Sequence, residues 1–427
     1  MILKSFPLGA AVLTSLLLTP SYGSPEGFQF RAIDLRLLDE VNALDRQFED
    51  RGFVYPDRQL TDYLQAIAER LLKGSRPPDR VQYHVRALRD PMVEAFGFPN
   101  GSIYVSTGML ATLRTEGQVA TILGREIAHV ADRHQYLENR EARTKQIVAS
   151  AAAAAASYFV TSYPLMLIQQ SRAAPWVDGS GYTAGMEREA DRDGLALTTA
   201  AGYDPQSAAH AYELLDEKLE VEPPATPYRS HDKLEQRIQS SPPSTSPAAP
   251  SEDDYLSHVA NAVCYNIGAD LGSRRTRTAV ARAQLLVDWK PERPEYRVLL
   301  ADAFRELGAE TAEPTKEELS FGGTSDRRQL LRMTPEEEQA KLLSRPGGAA
   351  VKKANEATAE KLYLEAITQQ SSLPAAYRGL GMLYQDQSRN AEAAREFRRY
   401  LELVPADAPD RLRIERRLDR LRAAKEH

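Results

Sequence analysis

Gly124-Arg125-Glu126-Ile127-Ala128-His129-Val130-Ala131-Asp132-Arg133-His134 is the stretch on which the reading of this chain turns. Placed on a helix, positions 125 and 129 lie one turn apart and face the same way, with Glu126 beside them. A guanidinium, a carboxylate and an imidazole are thus set on one helical surface. His134, a little more than one turn beyond His129, reads as a helix-packing residue.

The spacing is that of H-E-x-x-H, in which two imidazoles grip zinc and the glutamate activates its water. Here the first histidine is Arg125. R-E-x-x-H alone has low specificity, because such a string arises on any charged helix. The rest of the chain narrows the reading. Upstream lies Ala95-Phe96-Gly97-Phe98-Pro99-Asn100-Gly101. Downstream come Glu187-Arg188-Glu189-Ala190-Asp191-Arg192-Asp193-Gly194, then Ala201-Gly202-Tyr203-Asp204-Pro205, then Ser230-His231-Asp232-Lys233-Leu234-Glu235-Gln236-Arg237-Ile238. In order and spacing these segments resemble the HtpX/BepA-like zinc metallopeptidases (peptidase family 48). The resemblance extends over nearly the whole chain, because periplasmic BepA-type members also carry a signal peptide and a tetratricopeptide tail.

The resemblance implies a role for each matching residue. Glu126 matches the general base, His129 a zinc-binding histidine, and Glu187 the third ligand. Asp191 matches the carboxylate that orients the first histidine. His231 matches a histidine that can cap the metal, and Ala95, Phe96, Gly97 and Phe98 match the strand that pairs with an extended substrate. The cofactor implied is zinc. Three positions depart from the pattern: Arg125 replaces the first ligand, Glu94 stands where asparagine is usual, and Thr183-Ala184 replaces a Ser-Arg pair.

Arg125 sets zinc binding in doubt on physical grounds. A guanidinium offers a metal no lone pair and stays protonated. A unit charge about 4 Å from a dication, at an effective dielectric of ~20, costs on the order of 8 kcal/mol. A good zinc site supplies roughly 10–16 kcal/mol. Glu187 and Asp191 are ready partners for the arginine, which would then replace zinc as the positive centre of the cleft.

The remainder of the chain sets the context. Lys4, the apolar run Phe6–Leu18 and the small-residue site Ser21-Tyr22-Gly23 read as a signal peptide over residues 1–23, with an uncleaved anchor as the alternative. The only cysteine, Cys264, excludes an intramolecular disulfide. A net charge of −6 with scattered basic residues argues against nucleic acid as a partner. Residues 28–238 read as a metallopeptidase-like domain: helices at 35–48 and 60–72, a strand at Val81–Leu88, a hairpin turning at Pro99-Asn100-Gly101, and a long helical region from Met109 to about Ile147. The Ala-rich segment 147–168 reads as a membrane-touching helix or as a buried or cleft-covering one; Pro164 and the weak hydrophobicity of alanine favour the second.

Residues 239–254 form a Pro/Ser-rich linker. Residues 255–427 read as tetratricopeptide-like repeats, clearest where Tyr377, Leu380, Gly381 and Tyr384 precede Ala393 and Phe397, with Glu310–Gly348 a charged, irregular insertion and Asp410–Lys425 a capping helix. The expected fold is α+β: a mostly helical gluzincin-type domain with a small β-hairpin or sheet, then an all-α tetratricopeptide-type domain.

Two functions compete on these residues. One is an exported peptide-binding quality-control factor with an impaired zinc site, whose partners are unfolded or misassembled envelope proteins and, through the repeats, outer-membrane assembly machinery. The other is an active zinc endopeptidase that uses His129, Glu187 and His231 as ligands and Glu126 as base. A repeat scaffold with a purely structural first domain is the third reading. The compartment implied is the periplasm.

Overall fold

The computed structural model describes residues 28–73, 78–145, 182–221, 231–243, 252–311 and 334–423. The expected signal peptide 1–23, the Ala-rich segment 147–168 and half of the expected linker, residues 244–251, lie outside the described residues.

Two helices open the described chain. In α1 (Ala32–Asp50), Leu37, Val41, Leu44 and Phe48 recur every three or four residues and form one buried stripe. α2 (Arg58–Leu71) starts at Asp57, whose carboxylate accepts the Leu60 N–H at 3.0 Å.

A three-stranded sheet follows, formed by β1 (His84–Leu88), β2 (Ala95–Gly97) and β3 (Ser102–Ser106) in the order β1-β3-β2. β2 and β3 are the expected hairpin, paired antiparallel with Phe96 opposite Tyr104. Its turn needs glycine: Gly101 has φ +99°, and a Cβ there would meet the Gln82 carbonyl oxygen at 2.3 Å. β1 joins parallel to β3, which periodicity could not reveal, and it begins at His84 rather than Val81.

The long helical region expected from Met109 consists of three helices. α3 (Thr107–Leu110) is a single turn, α4 (Glu116–Ala131) carries the R-E-x-x-H stretch, and α5 (His134–Lys145) restarts beyond a kink. The break falls at Arg133, held at φ +62°. Its guanidinium lies 5.2–5.6 Å from the ring centres of Phe28, Phe30 and Tyr136, a cation–π setting that offsets the backbone strain. α6 (Ala184–Ala200) and α7 (Gln206–Val221) pack on α4, and α8 (His231–Ser240) packs on α7.

Among the described residues the C-terminal region holds only helices: α9 (Glu252–Gly272), α10 (Thr276–Trp289), α11 (Pro294–Leu307), α12 (Pro335–Ser344), α13 (Gly348–Gln369), α14 (Pro374–Asp386), α15 (Asn390–Leu403) and α16 (Arg411–Ala423). The stretch read as an irregular insertion contains α12, which the Thr334–Glu337 capping box starts. Small residues mark the helix crossings here: a Cβ at Gly379 would lie 2.4 Å from the Tyr363 ring, and one at Gly381 would lie 2.6 Å from Phe397.

One apolar cluster runs from Leu60 through Leu215 and on to Tyr255, Val263, Leu286 and Leu307, so α9–α11 share one core with α2, the sheet, α4, α6 and α7. Polar contacts tie α9 to α3. The Tyr255 hydroxyl donates to the Leu110 carbonyl at 2.6 Å, and Asn266 bonds both the hydroxyl and the carbonyl of Thr107. Among the described residues no helix is long and apolar enough to cross a membrane.

Candidate functional site

α4 is unusual in being buried on every side from Gly117 to Ala131, so each ionisable group it carries must find a partner inside the protein. Its start is set by a capping box: Thr115 accepts the Gln118 N–H, and the Gln118 carboxamide accepts the Thr115 N–H. α6 brings the partners. It crosses α4 at two glycines, where a Cβ on Gly194 would stand 2.7 Å from the Arg125 nitrogen and one on Gly124 2.9 Å from the Gly194 carbonyl oxygen. With nothing between the backbones, Glu187 and Asp191, one turn apart on α6, reach the Arg125 side chain.

Arg125 is the centre of the site. Its guanidinium donates through Nη1 to Glu126 Oε1 at 2.7 Å, through Nε to Asp191 Oδ1 at 3.1 Å, and through Nη2 to Glu187 Oε2. The side chain is 2% exposed. A second arginine joins from α8: Arg237 donates to Glu187 Oε2 at 2.7 Å and to Asp191 Oδ2 at 2.8 Å, with its guanidinium 5.5 Å from the Tyr212 ring centre on α7. Two cations therefore neutralise two of three carboxylates. Burial pushes the third, Glu126, up to about 7, helped by the charge of Glu187; Arg125 and the Gly97 N–H pull it back down.

The histidines form a separate chain of contacts. Burial, reinforced by the charge of Arg125, holds His129 well below its ordinary value, so it is neutral. Burial also lowers His134, against the pull of Glu189. His134 Nε2 lies 3.4 Å from Glu189 Oε2, and a carboxylate can only accept, so the proton of neutral His134 sits on Nε2. Its Nδ1 then accepts from His129 Nδ1, 3.1 Å away. That tautomer leaves His129 Nε2 with a lone pair, and it has no partner among the described residues. Tyr182 lies flat on the His129 ring at 4.1 Å between centres.

The structure thus brings Arg125, Glu126, His129, Glu187 and Asp191 together. The main chain of His231 opens α8, but its side chain lies outside the described residues. Among those residues no group of three His, Cys, Asp or Glu side chains is placed to hold a metal ion. The donor set explains why: Glu187, one carboxylate that could reach a metal near His129, already carries two guanidinium contacts. As long as Arg125 stays between these carboxylates, the residues present do not fit a zinc ion.

Ala95, Phe96 and Phe98, the residues expected to form a substrate strand, are buried, and β2 lies flush on α4: a Cβ on Gly97 would sit 3.0 Å from Val130 and 3.2 Å from the Glu126 carbonyl oxygen. Three participants escaped the sequence reading. Arg237 stood inside a quoted segment, but nothing local indicated that it pairs with α6. Tyr182 and Gln135 carried no signal beyond their nearness to Thr183 and His134.

Comparison with known proteins places this geometry. Residues 58–242 match the model of peptidase family M48. The beta-barrel assembly-enhancing protease of Escherichia coli K12 is 24% identical over 236 residues, 52% of this chain and 47% of that protein. The mitochondrial metalloendopeptidase OMA1 of Schizosaccharomyces pombe is 28% identical over 174 residues, 38% of this chain and 48% of that protein. The protein of the same name from Arabidopsis thaliana is 33% identical over 135 residues, 32% and 26% of the two chains. The chain spans less than half the length of these curated relatives.

Proposed function

We propose that this chain, whose residues 58–242 are a peptidase family M48 domain, is a peptide-binding quality-control factor of the bacterial envelope whose zinc site has been replaced by an arginine. The observation that carries this reading is the Arg125 guanidinium, buried among Glu126, Glu187 and Asp191 where a bound dication would need those carboxylates for itself. The cleft keeps its strand edge and its general-base residue but holds a fixed organic cation. Clients would be extended segments of unfolded or misassembled outer-membrane proteins, adding along β2, with the tetratricopeptide-like helices 255–427 docking assembly machinery. The signal-like leader 1–23 supports a periplasmic location, and the Pro/Ser-rich stretch 239–254 the boundary between the two domains.

One observation favours a second reading. The free lone pair on His129 Nε2 is the tautomer a metal ligand requires. A zinc endopeptidase using His129, Glu187 and His231, with Glu126 as base, follows if Arg125 leaves its three carboxylates. Zinc content of mature protein purified without added metal, measured beside Arg125→His, separates the two. An empty natural chain beside about one zinc per Arg125→His chain supports the binding factor; zinc in the natural chain overturns it.

A further inference from the structure

Gly97 presents its two polar backbone groups to the outer side of the sheet, and both meet side chains of this same molecule. The direction follows from the hairpin bonds. The Ser106 N–H donates to the Glu94 carbonyl at 2.9 Å and the Phe98 N–H to the Ser102 carbonyl at 2.7 Å. In an antiparallel pair, bonded and non-bonded positions alternate, so residues 94, 96 and 98 face β3 while Ala95 and Gly97 face away from it. These outward groups are the ones an added strand would use.

At Gly97 that use is forestalled. The Gln135 Nε2 donates to the Gly97 carbonyl at 3.3 Å, and the Gly97 N–H faces the Glu126 carboxylate. Gln135 is fully buried at the start of α5, yet its Oε1 has no hydrogen-bond partner among the described residues. A buried carboxamide with one end unsatisfied costs stability, and an apolar side chain of the same shape would avoid that cost. The carboxamide also bonds the Tyr182 side chain, yet that contact leaves Oε1 unpaired, and among the described residues the only main-chain group the carboxamide meets is the strand's Gly97 carbonyl.

We infer that Gln135 is an occluding residue: with Glu126 it makes the two hydrogen bonds that one residue of an added strand would make to Gly97, so a partner peptide pairs along β2 only by displacing the Gln135 carboxamide. Gln135 thereby sets the affinity and register of the peptide edge, leaving Ala95 as the first outward pair. This inference rests on the strand-addition reading given above.

The test uses the full mature chain, its Gln135→Met variant, and two fluorescein-labelled ten-residue peptides of alternating valine and threonine, one of them N-methylated at alternate residues so that it cannot pair as a strand. Methionine keeps the shape of glutamine without its donor. By fluorescence anisotropy, Gln135→Met should bind the unmodified peptide roughly two- to tenfold more tightly than the natural chain, the range expected for one competing hydrogen bond, and the N-methylated peptide equally weakly. If the unmodified peptide binds better than the methylated one but equally to both proteins, the occluding role is overturned while strand addition stands. If methylation changes nothing, or neither protein binds either peptide, strand addition itself fails and the inference falls with it.

Discussion

Arg125 and Arg237, from helices far apart in sequence, converge on one oxygen of Glu187 and divide the two oxygens of Asp191 between them. The two guanidinium groups repel each other, and only the carboxylates between them make the arrangement favourable. The cluster ties α4, α6 and α8 together, as a metal would.

Removing the central cation should therefore be costly. Arg125→Met leaves Glu126, Glu187 and Asp191 with Arg237 alone, and breaking a buried ion cluster in this way costs about 3–5 kcal/mol. Urea unfolding of the full chain is expected to show that loss. A loss under 1 kcal/mol would mean that the carboxylates have water or another cation at hand.

Glu126 should make stability depend on pH. Its folded value of about 7 lies above the ordinary 4.5. Below about 4.5 its contribution is whole, and it is lost as pH rises through about 7, because burial favours the protonated form. Glu126→Gln removes that loss but also one partner of Arg125. We expect little change near pH 4 and a gain on the order of 1–2 kcal/mol near pH 8. Thermal unfolding at the two pH values checks the sign.

The helix crossing offers a test that touches no charge. Gly194→Ala places a methyl 2.7 Å from the Arg125 nitrogen and 2.8 Å from its Cα, so α6 must move off α4. The expected cost is about 1–3 kcal/mol. The same variant should loosen the Arg125–Asp191 contact, seen as faster hydrogen exchange in α6. Unchanged exchange would argue that Asp191 is held by Arg237 instead.

Asp132, at the C-terminal end of α4, is pushed up to about 7 by burial and by the charges of Asp193 and Glu189. A negative charge is also disfavoured at a helix C-terminus. Its stability contribution is present below about 3.8 and disappears as pH rises through about 7. Asp132→Asn should raise the melting temperature near pH 8 and leave it nearly unchanged near pH 3, with a gain on the order of 1 kcal/mol. A loss near pH 8 would show that ionised Asp132 has a cation partner.

The amino-acid sequence by itself determined the local elements and the class of fold. Spacing placed Arg125 and His129 on one face of a helix and Glu187 and Asp191 on one face of another, and Pro99-Asn100-Gly101 marked the hairpin turn. The order of the quoted segments was enough to anticipate the match of residues 58–242 to the model of peptidase family M48. Local pattern left unplaced the break inside the helical region from Met109: it falls at Arg133, at φ +62° and with its guanidinium 5.2 Å from the Phe30 ring centre. Periodicity encodes which face of an element is buried, never which element will cover it. Only the tertiary structure decided that α6 meets α4 at Gly124 and Gly194, that Arg237 completes the charge cluster, and that the Gln135 carboxamide reaches the Gly97 carbonyl. Each depends on the distance between backbones distant in sequence, and that distance is set by packing in the assembled core.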